Sequence, residues 1–124
     1  MIIESPTDME FYLSIAIDAN REITGAGKFN IINQETLEST FSSCIYYDTE
    51  RLQCCSIINK LAQNQSFIDG NKRTALFMLH YLNSEFNLGL IERTDEEIAK
   101  IIVQIAIEKW SVEKSCKILF NKFK

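Results

Sequence analysis

Residues 64–77, NQSFIDGNKRTALF, place a polar cluster directly before an apolar helical run. The cluster contains an acid, a glycine, an amide and two cations, in the order Asp69, Gly70, Asn71, Lys72 and Arg73. The first turn of a helix carries unpaired N–H groups and the positive end of the helix dipole, so it attracts anions. Two cations oppose that dipole unless an anion lies between them and the helix. The stretch therefore predicts a phosphate site at a helix start.

The residues of this cluster suit a bound polyphosphate. Gly70 lets the backbone bend sharply and approach a ligand closely. Asp69 offers a carboxylate to a Mg²⁺ that bridges phosphates, because Mg²⁺ prefers carboxylate and phosphate oxygens. Phe67 and Ile68 are apolar and are expected to anchor the loop to the core. The competing interpretation is a solvated loop with an Asx turn and a helix cap, because charge clusters usually face water.

The composition is that of a single globular domain over residues 1–124. The chain is 46% hydrophobic and 24% charged, which suits a soluble protein with a packed core. Its net charge of −4 argues against a nucleic-acid-coating protein, which would need a basic surface. The N-terminus lacks the features of a signal peptide, and the apolar run 98–107 is short and contains Lys100. We therefore expect a cytoplasmic protein that binds neither nucleic acid nor membrane.

The cysteines predict no metal site. There are four of them, Cys44, Cys54, Cys55 and Cys116. They form no CxxC pair and no spaced set with histidine, so a zinc site is not expected. Without an export signal, they are interpreted as reduced and mostly buried small apolar residues.

Hydrophobic spacing predicts helices along almost the whole chain. One proline and four glycines leave few helix breakers. The first two expected helices cover 8–24 and 34–42, and Asn33 is the N-cap of the second. The third begins after Asp48 as its cap, and the fourth covers 71–86. The fifth begins with the capping box Thr94–Glu97, and the sixth begins after its cap Ser111. The predicted fold is mainly all-α, a compact bundle of about six helices.

Glycines and one aromatic stretch mark the breaks between these helices. Gly25 and Gly27 are expected to end the first helix, and Gly89 the fourth. The last helix is expected to bury Phe123 with its other apolar residues. Residues 43–47, SCIYY, are rich in β-branched and aromatic side chains, which predicts a short extended piece or hairpin arm.

The nine residues 65–73, QSFIDGNKR, resemble the signature of the Fic/Doc superfamily, His-x-Phe-x-(Asp/Glu)-(Gly/Ala)-Asn-(Gly/Lys)-Arg. Every position except the first fits. The continuation NKRTAL is similar to the death-on-curing (Doc) toxins within that superfamily. Members that transfer AMP usually have Gly where this chain has Lys72 and a second Arg where it has Leu76. Less specific similarity to Doc helices covers 16–25, 33–41 and 110–120.

The resemblance implies a small helical Fic core with a short β-hairpin flap that lines up the target peptide, and SCIYY is the candidate flap. It implies a toxin that transfers the γ-phosphate of ATP to a threonine hydroxyl of elongation factor Tu and blocks translation. The partner would be an antitoxin of the prevent-host-death type. Some Fic proteins carry an inhibitory pattern, (Ser/Thr)-x-x-x-Glu-(Gly/Asn), which this sequence lacks. Inhibition is therefore expected from a separate chain.

The resemblance also implies a role for each residue of the cluster. Asp69 would bind Mg²⁺. The phosphates of ATP would be held by the helix N-terminus and the residues around it, Gly70, Asn71, Lys72 and Arg73. These groups would also offset the charge that develops during transfer.

The chain departs from the pattern at Gln65, where the family has the histidine that takes a proton from the attacking hydroxyl. An amide takes no proton near neutral pH, and general-base catalysis is typically worth ~10²–10⁴-fold. The only histidine, His80, lies about 13 Å along the helix from Asn71, too far for direct proton transfer. Two explanations stand side by side: a toxin inactivated deliberately or by selection during cloning, and a natural pseudoenzyme. The alternative functions are AMP transfer, a non-catalytic nucleotide- or partner-binding module, and a purely structural role.

Overall fold

The computed structural model describes residues 1–25 and 30–121, and over these residues the chain forms six α-helices. They are α1 (Pro6–Thr24), α2 (Gln34–Ser42), α3 (Glu50–Gln63), α4 (Asn71–Phe86), α5 (Asp95–Glu108) and α6 (Val112–Leu119). A 3₁₀ helix, Ser43–Tyr46, joins α2 to α3. The predicted mainly all-α fold is confirmed.

Polar side chains cap the starts of five of these helices. Each cap oxygen accepts a hydrogen bond from a backbone N–H of the first turn. The caps are Ser5, Asn33, Thr49, Thr94 and Ser111, and Thr94 forms the predicted capping box with Glu97. The prediction that Asp48 caps α3 is wrong, because the Thr49 hydroxyl accepts from Leu52 N at 3.1 Å. The exception is α4, which has Gly70 at this position and no side-chain cap.

Residues in the left-handed conformation end three of the described helices, among them α5, which ends at Lys109 with φ 55°. Gly25, with φ 68°, ends α1 as predicted, whereas Gly27 lies outside the described residues. Asn87, with φ 51° and ψ 57°, ends α4 in place of the predicted Gly89, because asparagine also tolerates the left-handed conformation. Phe123 also lies outside the described residues.

The central helix of the bundle is α3, which packs against α2, α4, α5 and α6. It buries residues on almost every side, from Gln53 through Asn59 and at Leu61 and Ala62. The facing helices contribute the buried residues Ala75, Met78, Leu79 and Leu82 of α4, and Ile98, Ile102 and Ile105 of α5. Each large apolar side chain buried in this way contributes roughly 1.5–3 kcal/mol. This packing fixes the end of α3 and the start of α4, which the loop 64–70 connects.

The four cysteines are all free, as expected. Cys44, Cys54 and Cys55 are buried, whereas Cys116 is partly exposed. No helix of the described residues combines the length and the apolar character that a membrane crossing requires.

The SCIYY stretch is not extended, so the prediction of a strand or hairpin flap there is wrong. Its first four residues form the 3₁₀ helix, in which Cys44 is buried while Ile45 and Tyr46 face solvent. β-branched and aromatic residues favour a strand only where another strand can pair with it. The loop 64–70 pairs with a different part of the chain, because Phe67 forms an isolated antiparallel bridge with Ile31.

Candidate functional site

The loop between α3 and α4 is held along one edge by backbone pairing. In addition to the bridge between Ile31 and Phe67, Ile68 N donates a hydrogen bond to Asn30 O at 2.7 Å. The Phe67 side chain is buried and anchors the loop, as predicted. Ile68, predicted to do the same, is 59% exposed, because successive side chains of an extended segment point to opposite sides.

Asn71 fastens the loop from the other side. Its Oδ1 accepts a hydrogen bond from Phe67 N at 3.0 Å, and its Nδ2 donates to Phe67 O at 2.9 Å. Both polar groups of this side chain are therefore used by the loop backbone. What Asn71 can offer to an anion is its own backbone N–H, since it is the first residue of α4.

A buried network of polar side chains supports the loop from α1. Asn20 Nδ2 donates to Asp69 O at 2.9 Å and to Thr74 Oγ1 at 3.1 Å. Asn30 Nδ2 donates to Asn20 Oδ1 and also to Asp69 O at 3.2 Å. The side chains of Asn20, Asn30 and Thr74 are all buried.

This network is not among the features predicted from the sequence. The sequence contains one sign of the network, which is Asn20. This polar residue lies next to Ala19 and one helical turn after Ala16, and both alanines belong to the apolar stripe of α1. A buried amide at such a place needs partners, because an unpaired polar group in a core is costly.

Gly70 is required at the turn into α4. Its φ is +82°, in the left-handed region, which confirms the predicted sharp bend. A Cβ at this position would lie 2.6 Å from Thr24 Cγ2 and 3.1 Å from Asn20 Nδ2, so α1 also leaves no room for a side chain. Because a glycine stands at the N-cap, no N-cap side chain accepts a hydrogen bond from the first-turn N–H groups of α4.

Exposed charges surround this uncapped helix start. Asp69 Oδ1 accepts from Gly70 N at 2.8 Å, and Asp69 Oδ2 accepts from Arg73 Nη2 at 3.1 Å. The Asp69 and Arg73 side chains are 71% and 55% exposed, so water screens this ion pair and it contributes little to stability. Lys72 is exposed and forms no ion pair with any residue of 1–25 or 30–121. A bound anion would offset both cations, each of which opposes the helix dipole by ~0.3–1 kcal/mol.

All six residues predicted to form the site line one cavity. It has a volume of about 320 Å³ and is bordered by Gln65, Ile68, Asp69, Gly70, Asn71, Lys72 and Arg73. A second cavity, of about 340 Å³, shares Gln65, Asn71 and Lys72 and reaches Ala106 and Ile107 of α5. Both volumes lie within the range of small-molecule sites.

The donor set suits a magnesium ion only together with phosphate. Within residues 1–25 and 30–121, Asp69 is the one carboxylate that borders the cavity. Across the described part of the chain, no three or more acidic, histidine or cysteine side chains are grouped so that they could hold a metal. Mg²⁺ is commonly bound through one or two carboxylates plus substrate phosphates, and Asp69 fits that arrangement.

Among the described residues that line the cavity at Gln65, there is no histidine, and Asp69 is the acidic side chain. Gln65 is exposed, and its amide does not serve as a base. His80 borders neither cavity. Its Nε2 lies 3.1 Å from Asp95 Oδ1, at the start of α5.

Comparisons with known proteins do not supply a function. No protein-family model matches the chain, and no curated protein matches it either. Function is therefore inferred from the residues and their geometry.

Proposed function

We propose that this protein is a Doc-type toxin of a toxin–antitoxin system in which Gln65 has replaced the catalytic base. The parent reaction is transfer of the γ-phosphate of ATP, with Mg²⁺, to a hydroxyl of a target protein, which by resemblance is elongation factor Tu. Its inhibitor would be a separate antitoxin of the prevent-host-death type. One observation carries the proposal: Gln65, Asp69, Lys72 and Arg73 meet the uncapped start of α4 around one cavity.

The chain's own residues divide into a supporting set and a binding set. Asn71 and Asn20 hold the loop through hydrogen bonds to its backbone. The N–H groups of the first turn of α4, with Lys72 and Arg73, would bind the phosphates. Phosphoryl transfer depends mainly on positioning and on electrostatic stabilisation, which is what such a set supplies.

The ion pair between Asp69 and Arg73 would separate when nucleotide binds. Arg73 would turn to a phosphate, and Asp69 would become free to bind Mg²⁺. Because both side chains are largely exposed, breaking this pair costs little. Bound Mg²⁺ would neutralise charge on the phosphate oxygens.

Gln65 sets the rate expected of this chain. It borders both cavities, so a histidine at this position would face a hydroxyl presented to the phosphate site. Without that base, transfer should be slower by ~10²–10⁴-fold, whereas nucleotide binding should persist.

A non-catalytic nucleotide- or partner-binding pseudoenzyme is the second candidate, favoured by Gln65 itself. AMP transfer is disfavoured by Lys72 and by Leu76, which stand where AMP-transferring members have Gly and a second Arg.

The test compares the chain as it stands with Gln65→His. Both are mixed with Mg²⁺, elongation factor Tu and ATP labelled at either the α- or the γ-phosphate. We expect γ-label on the factor with Gln65→His and at least about 100-fold less with the unchanged chain. The matched control is Asn64→His, because Asn64 is the exposed neighbour and borders only the second cavity.

Calorimetric titration with Mg²⁺–ATP separates binding from chemistry. Binding without label on the factor in any variant would favour the pseudoenzyme. Transfer of α-label would replace the phosphotransferase with an AMP transferase. Absence of ATP binding would refute the nucleotide site as a whole.

A further inference from the structure

A second cluster of chemically reactive side chains lies at the contact between α3 and α6. It borders a cavity of about 410 Å³ lined by Arg51, Cys116, Lys117, Phe120 and Asn121. This cavity shares no residue with the two cavities at Gln65. Among the described residues, the lining brings together a thiol and two cations without a carboxylate.

Arg51 is held rigidly in the wall of this cavity. Its Nε donates to Leu88 O and its Nη1 to Asn121 O, both at 2.7 Å. Its guanidinium carbon lies 5.5 Å from the centre of the Phe120 ring. The third nitrogen, Nη2, is buried and has no hydrogen-bond partner within residues 1–25 and 30–121. A fixed positive charge with one unused donor therefore stands beside the thiol.

Cys116 forms a pair with a second thiol. Cys55 is buried on α3, one helical turn after Arg51, and α3 packs against α6, so that a hydrogen bond between the Cys55 and Cys116 sulfurs shifts both pKa values. That hydrogen bond and the Arg51 charge lower the pKa of Cys116 to about 7, against the opposing effects of burial and Glu113. The same hydrogen bond and burial raise the pKa of Cys55 well above its usual value. At pH 7, about half of the Cys116 sulfur is thus thiolate, whereas Cys55 is a protonated donor.

The other two cysteines lack this environment. Cys44 and Cys54 are buried, and burial raises the pKa of Cys44 to about 11 and that of Cys54 further still. Reactive cysteines are partly exposed and electropositive in their surroundings, and peroxide-sensing ones stand next to a resolving thiol. In this chain, Cys116 meets all of these conditions.

We propose that Cys116 is a site of oxidation by small hydroperoxides and that Cys55 is its resolving thiol. The Cys116 thiolate attacks one peroxide oxygen, the O–O bond breaks, and the other oxygen takes a proton and leaves as water or an alcohol. The product is a sulfenic acid on Cys116. The Cys55 sulfur then displaces that hydroxyl as water, which forms a disulfide between α3 and α6. Two electrons pass from the thiols to the peroxide.

The cavity supplies what the first step needs. Arg51 and Lys117 both line the cavity, and their positive charges can stabilise the departing oxygen as negative charge develops on it. The shared hydrogen bond keeps the Cys55 sulfur next to the sulfenic acid as it forms. This proposal does not depend on the function proposed for the site at Gln65.

The first experiment treats the full chain with hydrogen peroxide and follows intact mass and peptide maps. We expect the loss of two hydrogens, a Cys55–Cys116 linkage and recovery with dithiothreitol. Cys55→Ala should stop at the sulfenic acid, which dimedone traps on Cys116. The matched control, Cys54→Ala, removes the adjacent buried thiol and should oxidise like the parent chain. Oxidation that is unchanged in Cys116→Ser would overturn the proposal.

A second measurement needs no variant. At pH 7 a thiol of pKa about 7 is about half ionised, against ~3% for an ordinary thiol, a ratio of roughly 15. Thiolate nucleophilicity falls with pKa by ~4–6-fold over this interval. Iodoacetamide should therefore alkylate Cys116 about three- to fourfold faster in the folded chain than in urea. Equal rates, with a midpoint at the pH of an ordinary thiol, would refute the assignment.

Discussion

Replacing Gly70 with alanine should strain the turn that carries the candidate site. An L-residue with a side chain at φ +82° is strained by ~1–2 kcal/mol. The new Cβ would also stand 2.6 Å from Thr24 Cγ2. Thr24 cannot rotate away freely, because its Oγ1 donates to Asn20 O at 2.7 Å and its side chain is β-branched. Losing that hydrogen bond or leaving the rotamer adds ~0.5–1.5 kcal/mol.

Gly70→Ala should therefore lower the free energy of unfolding by about 2–3 kcal/mol, measured by urea denaturation. Gly25→Ala is the matched control, because Gly25 has φ +68° but, among the described residues other than its chain neighbours, no atom lies within 4 Å of the place that an alanine methyl group would take. It should show the backbone strain alone, ~1–2 kcal/mol.

A double-mutant cycle isolates the clash with α1. Thr24→Ser removes the Cγ2 methyl and keeps the hydroxyl, so it should relieve the closest contact of the new alanine at position 70. We expect a coupling free energy of ~0.5–1.5 kcal/mol between Gly70→Ala and Thr24→Ser. Additive effects, or a loss for Gly70→Ala no larger than for Gly25→Ala, would refute the steric argument.

Three further changes separate support of the loop from binding. Asn20→Ala should lower the free energy of unfolding, measured by heat or urea, by ~1–3 kcal/mol, since it leaves buried Thr74 and the Asp69 carbonyl without this donor. Asp69→Asn should change stability by less than about 0.5 kcal/mol, because its pair with Arg73 is exposed, yet should weaken Mg²⁺–ATP binding in calorimetry. Thr94→Ala should lower the free energy of unfolding in urea by about 1 kcal/mol, because the α5 capping box is lost, and it should leave nucleotide binding unchanged.

Most of the helices could be predicted because their signals are local. The capping box at Thr94 and the caps Asn33 and Ser111 lie within a few residues of the N–H groups they bind. The errors at helix ends come from neighbouring residues that compete for one role. Thr49 stands beside Asp48, and Asn87 precedes Gly89, and each pair offers two chemically suitable caps.

The features that the sequence did not reveal depend on distant partners. SCIYY has strand-forming residues, but no segment of the described residues pairs with it, and its Cys44 enters the core through a 3₁₀ turn. The loop 64–70 pairs instead with Ile31, which lies more than thirty residues earlier. Asn20 supports Asp69 across 49 positions of sequence. Neither propensity nor periodicity encodes such contacts.

In the proposed site, the residues that support the loop differ from those that would bind phosphate, so the residue at position 65 can change without loss of the fold. The groups that hold the loop, such as Asn20 and Asn71, hydrogen-bond to its backbone, so their loss would disturb the fold. Gln65 is exposed and lines the cavities without belonging to that network. Exchange between glutamine and histidine there should change the free energy of unfolding by less than about 0.5 kcal/mol. Equal urea midpoints for both forms would show that the side chain at position 65 has no structural role, and a large shift would refute this.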